Sequence, residues 1–177
     1  MITELLKWVC GELDGANIPY MVTGGIAMGA YTVPRNTLDI DIIIELKEEH
    51  LEKFFKIFES DFYLPKKVIR EELKLMGMFN VIDHKTGHKI DFVIKKDSEF
   101  RELEFSRRQR SDVLGFDAWI ITLEDLIISK LIWIQQLQSE RQMNDIRSLW
   151  KNPSVDRAYV REWVKNFGMN TFNLLEP

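Results

Sequence analysis

The chain has 177 residues, 45% of them apolar and 29% charged, with one cysteine and a formal net charge of -4 from 24 basic and 28 acidic side chains. That length suits one domain, or one domain with a small helical annex, and it is enough to bury a core without disulfides or a structural metal. The composition excludes disorder, collagen and a disulfide scaffold, the acidic balance argues against a protein that coats nucleic acid, and the lone Cys10 fits a reducing compartment.

In chain order, residues 3 to 17 form an amphipathic helix on the spacing of Leu5, Leu6, Val9 and Leu13, with Thr3 as its cap. A short strand follows Pro19, from Tyr20 to Thr23. Gly24-Gly25 makes a sharp turn, and Ile26 to Tyr31 is a short helical stretch ended by Pro34. The next strand spans Leu38 to Glu45. A helix from Glu48 to Ser60 buries Leu51, Phe54, Phe55 and Phe58, while Val68 to Leu75 fits either element. Phe79 to Asp83 and His88 to Ile94 are strands around a Lys85-Thr86-Gly87 turn, and a second hairpin turns at Gly115 and returns along Ala118 to Ile121. Thr122-Leu-Glu-Asp125 has the form of a capping box and opens a helix to Gln138. Shorter helices cover Glu140 to Trp150 and Val155 to Phe167. The N-terminus shows no basic region before an apolar run, no small-residue cleavage site follows, and no stretch approaches the roughly 20 apolar residues that span a bilayer. A cytoplasmic protein without a membrane partner is expected.

The chemistry concentrates in Leu38-Asp39-Ile40-Asp41-Ile42-Ile43-Ile44. Alternation along a strand puts the leucine and Ile40, Ile42 and Ile44 on one face, and Asp39 and Asp41 on the other, roughly 7 Å apart. Like charges that close repel unless a cation lies between them, and hard divalent metals suit oxygen donors. In His88-Lys89-Ile90-Asp91-Phe92-Val93-Ile94, Lys89 and Asp91 share the face opposite Ile90, Phe92 and Ile94. If both strands turn their isoleucines into one core, Asp39, Asp41 and Asp91 converge as ligands for two Mg²⁺ ions that activate a hydroxyl attack on phosphorus. An Asp-x-Asp alone equally suits a solvated sheet face, and Gly24-Gly25 alone equally suits a tight turn. Together, strand, Gly-Gly, short helix, Arg35-Asn-Thr37 and paired Asp strand are far more specific.

This combination resembles the nucleotidyltransferase superfamily, the polymerase-beta-like fold, whose signature is a hydrophobic residue, Gly, then Gly or Ser, a spacer of about a dozen residues and Asp-x-Asp or Asp-x-Glu on a strand. Here Val22-Thr23-Gly24-Gly25 and Asp39-Ile40-Asp41 match it, and Asp91 matches the third carboxylate. The finer pattern is similar to AbiEii-type abortive-infection toxins and related stand-alone nucleotidyltransferases. These carry Arg-x-Thr-x-Asp-x-Asp, matched from Arg35 and Thr37 to Asp41, and Lys-x-Asp, matched by Lys89-Ile-Asp91. They also carry a later helix lysine, matched by Lys130, and an Arg-x-x-x-Asp-like segment, matched by Arg141 to Asp145. The resemblance implies an α+β fold: a mixed sheet flanked by helices over residues 1–121, and a helical C-terminal segment, 122–177, packed on it. It implies a metal-dependent enzyme, using Mg²⁺ or Mn²⁺, that moves a nucleoside monophosphate from an NTP to an acceptor hydroxyl and releases pyrophosphate. Asp39 and Asp41 would bridge the metals, and Asp91 would bind the catalytic metal and help deprotonate the hydroxyl. Gly24 and Gly25 would hold the triphosphate through backbone amides and Lys130 would neutralise it. Arg35, Thr37, Lys89 and Asp145 complete the nucleotide-binding set, with Arg35 and Thr37 either touching substrate or bracing their loop. The acceptor is a tRNA, a protein or a small molecule, and a toxin would also have a cognate antitoxin. Rival readings are an antibiotic adenylyltransferase, a non-catalytic binding or antitoxin partner of the same fold, and a metal-dependent nuclease. The nuclease reading lacks its usual Glu-x-Lys on the same strand after Asp39 or Asp91.

Other residues have plainer readings. Lys130 shares a helix face with Leu123, Ile127 and Ile134, so it either snorkels to water or meets an anion. Asp145 also suits a pair with Arg141 one turn earlier. His84, His88 and His50 read as surface residues, Cys10 as a buried thiol, and the five tryptophans as core. Arg107-Arg108-Gln-Arg110 reads first as a charged strand edge that blocks sheet pairing, and second as a contact for a polynucleotide backbone.

Overall fold

In the computed structural model the described residues are 1–34, 37 and 39–176. Helix α1 (Ile2–Gly15) buries Leu6, Val9 and Leu13 of the expected stripe together with Cys10, while Leu5 is half-buried; the helix starts before Thr3, which therefore does not cap it. It ends where Asn17 turns left-handed at φ 55°, a conformation asparagine tolerates better than most side chains. Among the described residues seven strands follow: β1 (Tyr20–Thr23), β2 (Ile40–Ile44), β3 (Phe62–Tyr63), β4 (Met78–Asp83), β5 (Lys89–Ile94), β6 (Gln109–Val113) and β7 (Phe116–Ile120). They form one sheet in the order β3-β4-β5-β2-β1-β7-β6. β2 runs antiparallel to β1 and parallel to β5, β1 runs parallel to β7, and the outer pairs are antiparallel, so the sheet is mixed.

The helices between strands are α2 (Gly24–Met28), α3 (Leu51–Phe58), α4 (Lys66–Leu75) and α5 (Glu99–Ser106); α6 (Leu123–Gln136), α7 (Glu140–Trp150) and α8 (Arg157–Phe167) close the chain. The isoleucine face of β2 is fully buried at Ile40, Ile42 and Ile44, and so are Ile90 and Phe92 of β5. Phe54 of α3 lies over this layer, its ring 5.3 Å from Phe92 and 5.6 Å from Phe79. Edge-to-face packing of this kind adds about 0.5–1.5 kcal/mol per pair beyond the area buried. α6 is buried along most of its length, with Leu126, Ile127, Ile128, Leu131 and Ile134 inside, because it is wrapped by α2, α7 and α8. One core cluster runs from Leu6 to Leu175, so the C-terminal helices share it with the sheet. Among the described residues no helix is long and apolar enough to cross a membrane.

The fold is the expected α+β mixed sheet with a helical C-terminal segment. Several boundaries differ. The ambiguous piece after Pro65 is helix, since Ile69 buries into the core and Met76 (φ 48°) supplies a left-handed end. β2 begins at Ile40, which places Asp39 just outside the strand. α2 begins at Gly24 rather than after the glycines. α5 and the two-residue β3 have no counterpart in the periodicity reading. α5 is capped by the Ser98 side chain and buries Phe100, Glu104 and Phe105.

Candidate active site

β2 and β5 pair in register, Asp41 opposite Asp91, and strand alternation puts both on the face away from Ile40, Ile42 and Ile90. Thr23, the last residue of β1, pairs with Asp41 from the other side. The chain then turns at Gly24, φ 64°, where a Cβ would stand 2.0 Å from Asp41 Oδ2. Only glycine combines that backbone conformation with that approach. The next N–H, of Gly25, donates to the Asp41 carboxylate. Burial, and then the neighbouring Asp91 and Asp39, push the Asp41 carboxyl above its usual range, against the pull of Lys130 and the Gly25 hydrogen bond. Four separate segments therefore act on one carboxylate.

Asp91 is buried. Its Oδ2 accepts from Lys89 Nζ at 2.7 Å, and its buried Oδ1 has no hydrogen-bond partner among the described residues. That hydrogen bond, with further help from Asp39 and Asp41, holds the Lys89 ammonium above its ordinary range. Among the described residues Thr37 Oγ1 bonds to the Asp39 backbone, accepting from its N–H at 3.4 Å and donating to its carbonyl at 3.3 Å, so Thr37 braces the approach to Asp39. Arg35, with residues 36 and 38, lies outside the described residues.

Lys130 and Asp145 come together as a buried pair: Nζ lies 2.9 Å from Asp145 Oδ2 and 2.7 Å from Gln142 Oε1. Asp145 thus pairs across the α6–α7 seam rather than with Arg141. Lys130 meets an anion, as its apolar face requires, and its charge is felt at Asp41. Gln142 was not singled out in the sequence, although it precedes Asp145 by one helical turn. A second network also went unread. Asp125, fully buried, accepts from Thr122 Oγ1 (2.7 Å), Arg107 Nε (3.0 Å) and Tyr159 OH (2.8 Å). The capping pattern gave its backbone role but not its long-range partners. His84 is exposed, and His50 Nδ1 accepts from the Lys47 N–H. Burial pushes the Cys10 thiol up to about 12, which leaves it inert.

Among the described residues no group of three or more His, Cys, Asp or Glu side chains is gathered tightly enough to hold a metal ion. The donors at hand nonetheless fit one: all are carboxylate oxygens, which hard divalent cations prefer, and Asp91 Oδ1 is an acceptor with no partner among the described residues.

No family model and no curated protein matches the sequence. Solved structures do match its shape. The antibiotic-resistance factor ANT(2'')-Ia aligns with a TM-score of 0.62 at 14% identity over 93% of this chain and 90% of its own. An antigenic nucleotidyltransferase-like protein from Paracoccidioides brasiliensis aligns with a TM-score of 0.52 at 17% identity over 90% and 83%. The lincosamide antibiotic adenylyltransferase LnuA, lincomycin-bound, aligns with a TM-score of 0.51 at 14% identity over 82% and 94%. With β1, Gly24-Gly25 and the register-paired aspartates at its centre, this chain has the nucleotidyltransferase fold.

Proposed function

We propose that the protein is a metal-dependent nucleotidyltransferase that moves a nucleoside monophosphate from an NTP to an acceptor hydroxyl. The observation that carries this reading is the Asp41–Asp91 pair, in register on adjacent strands with Gly24 packed against one carboxylate. Asp39, Asp41 and Asp91 would hold Mg²⁺ or Mn²⁺. Bound there, the cation supplies neutralisation of the triphosphate and of the attacking oxygen. Asp91 accepts the acceptor's hydroxyl proton, the oxygen bonds to the α-phosphorus, and the bond to the β-phosphate oxygen breaks, releasing pyrophosphate. Lys130, held by Asp145 and Gln142, offsets the charge that phosphoryl transfer develops. Gly24 and Gly25 let the triphosphate approach the backbone, and Lys89 completes the cationic side of the site.

For the acceptor, the likeness to ANT(2'')-Ia and LnuA over most of both chains favours a small hydroxylated molecule of the antibiotic kind. The Arg35-to-Asp41 and Lys89-Ile-Asp91 patterns favour the toxin reading, with a macromolecular acceptor and an antitoxin partner. Incubation with each α-labelled NTP and Mg²⁺ or Mn²⁺, against an aminoglycoside, a lincosamide, tRNA and cell extract, separates them. Label is expected on one acceptor class, and Asp41→Asn should abolish it. Absence of transfer to every acceptor, or transfer undiminished in Asp41→Asn, would overturn the enzyme reading.

A further inference from the structure

Strand register sets four residues in one row across the sheet. Thr23 of β1 is paired with Asp41 of β2, Asp41 with Asp91 of β5, and Asp91 with Asn80 of β4. Paired residues share a face, and neighbouring strands stand about 4.8 Å apart. Asn80 therefore flanks Asp91 on the outer side, as Thr23 flanks Asp41 on the inner side. The same face continues outward from the row: Ile82 is paired with Lys89, and Tyr63 of β3 with Ile82. The two faces of β4 differ. Phe79, Val81 and Asp83 are buried, whereas Asn80 and Ile82 are half-buried and Tyr63 beside them is 55% exposed. The face that carries the aspartates is thus open over β4 and β3. The Asn80 side chain makes no hydrogen bond among the described residues, and neither strand places a charged residue on this face.

The proposed transfer reaction, on which this inference rests, decides what lies on this ground. In an in-line displacement the attacking and leaving oxygens stand on opposite sides of the α-phosphorus. Pyrophosphate leaves toward Gly24, Gly25 and Lys130, on the β1 side of Asp41, where α6 packs on α2. The hydroxyl therefore arrives from the β5 side, over Asp91, and the molecule that carries it extends across β4 and β3. That ground does not suit a polycation, since amines brought onto an uncharged surface lose water without gaining a carboxylate. Nor does it suit a polynucleotide. Lys85 is paired with Asp61 at 3.3 Å and Lys66 with Glu59 at 2.9 Å, and Arg107 and Arg110 of the basic run are paired with Asp125 and Asp14. These cations answer the protein's own carboxylates and are not set out as a track for phosphates.

We propose that Asn80, Ile82 and Tyr63 form the acceptor platform and determine acceptor specificity. The Asn80 amide bonds a hydroxyl next to the attacking one, and Ile82 and Tyr63 carry an apolar or planar part of the same molecule. The acceptor class is a small sugar-like molecule with neighbouring hydroxyls and an apolar substituent.

The test uses the full-length protein labelled with ¹⁵N, with Mg²⁺ and an α,β-methylene NTP, which binds but cannot transfer. The Asn80 side-chain amide resonances are followed while lincomycin, octyl β-glucoside below its micellar concentration, tobramycin or tRNA is added. Saturable movement with lincomycin or octyl glucoside, and not with tobramycin or tRNA, is expected. Asn80→Ala and Tyr63→Ala should each weaken binding of the responding sugar at least fivefold, while NTP affinity stays within twofold and the melting temperature is unchanged. Movement with tobramycin or tRNA alone, no movement with any of the four, or sugar binding unchanged in both variants each overturns the platform. So does a loss of NTP affinity in step with sugar affinity. If a variant melts lower than the parent, the Asn80 response of the unsubstituted protein decides. Calorimetry of NTP binding with and without Mg²⁺ keeps the two readings apart: Mg²⁺-dependent binding with a silent Asn80 removes the platform alone, and NTP binding indifferent to Mg²⁺ removes the transferase reading beneath it.

Discussion

Gly24 carries the strictest demand of any single residue. A side chain there meets both a left-handed backbone and the Asp41 carboxylate at 2.0 Å. Gly24→Ala should cost about 1–2 kcal/mol from the backbone alone, read as a lower urea midpoint. It should abolish transfer as well, because Asp41 must move. A variant of full activity would show that the Asp41 carboxylate need not stay where it is. Asp41 itself makes the opposite prediction for stability. Its folded carboxyl titrates above its unfolded value of 3.8, so the native state binds the proton more tightly. Stability therefore falls as pH rises from the unfolded value through the folded one, and the deficit persists at neutral pH. Asp41→Asn should melt higher than the parent at pH 7 without metal, and the gain should vanish toward pH 3. A lower melting temperature at pH 7 would identify Asp41 as a structural carboxylate.

Between elements, Lys130 and Asp145 fasten α6 to α7 with both side chains under a tenth exposed. Removing one member of a buried pair typically costs about 3–5 kcal/mol, whereas replacing both by apolar groups costs far less. Asp145→Leu should therefore destabilise more than the double variant Lys130→Met/Asp145→Leu. The double variant should also lose transfer, since it removes the cation whose charge is felt at Asp41. Additive effects in denaturant melts would refute the coupling. Tyr159→Phe, which removes one of three donors to buried Asp125, should cost about 1–3 kcal/mol and leave transfer measurable. These same elements mark what a sequence can disclose. β2 and β5 were legible because alternation is local: isoleucine faces inward, aspartate faces out, and register follows. Gly24 was legible as a turn, but the reason for it, the proximity of Asp41, belongs to the pairing of β1 with β2. Lys130 was legible as a cation needing an anion, but its partner sits on the next helix and no periodicity names it. α5 escaped because its buried face includes Glu104, whose charge is met by Arg101 at 2.7 Å and by Ser129 of α6. A buried ionic residue looks like a surface one until the fold supplies its partners.

At the scale of the molecule, cation and nucleotide should bind as one event, because three carboxylates repel a bare triphosphate and a triphosphate supplies the cation's remaining oxygens. Mn²⁺ with NTP at a hundredfold excess over the dissociation constant should stabilise by about 2.7 kcal/mol. For a chain of this length that corresponds to a melting shift of roughly 5–10 °C. NTP alone should give little. Equal shifts with and without Mn²⁺ would count against a shared site.

The parallel pairing of β1 with β7 joins Val22 to Ile120. β1 is thus paired on one side with β2, close in sequence, and on the other with a strand made nearly a hundred residues later. While the chain is being synthesised, the apolar Tyr20–Thr23 strand is an open edge, and it stays open until β7 has left the ribosome. The half-made protein is its own most dangerous form, since an exposed apolar edge recruits strands from other chains. Polypeptides released before β7 should aggregate through β1, and the full-length chain should depend on chaperones during its synthesis more than after it.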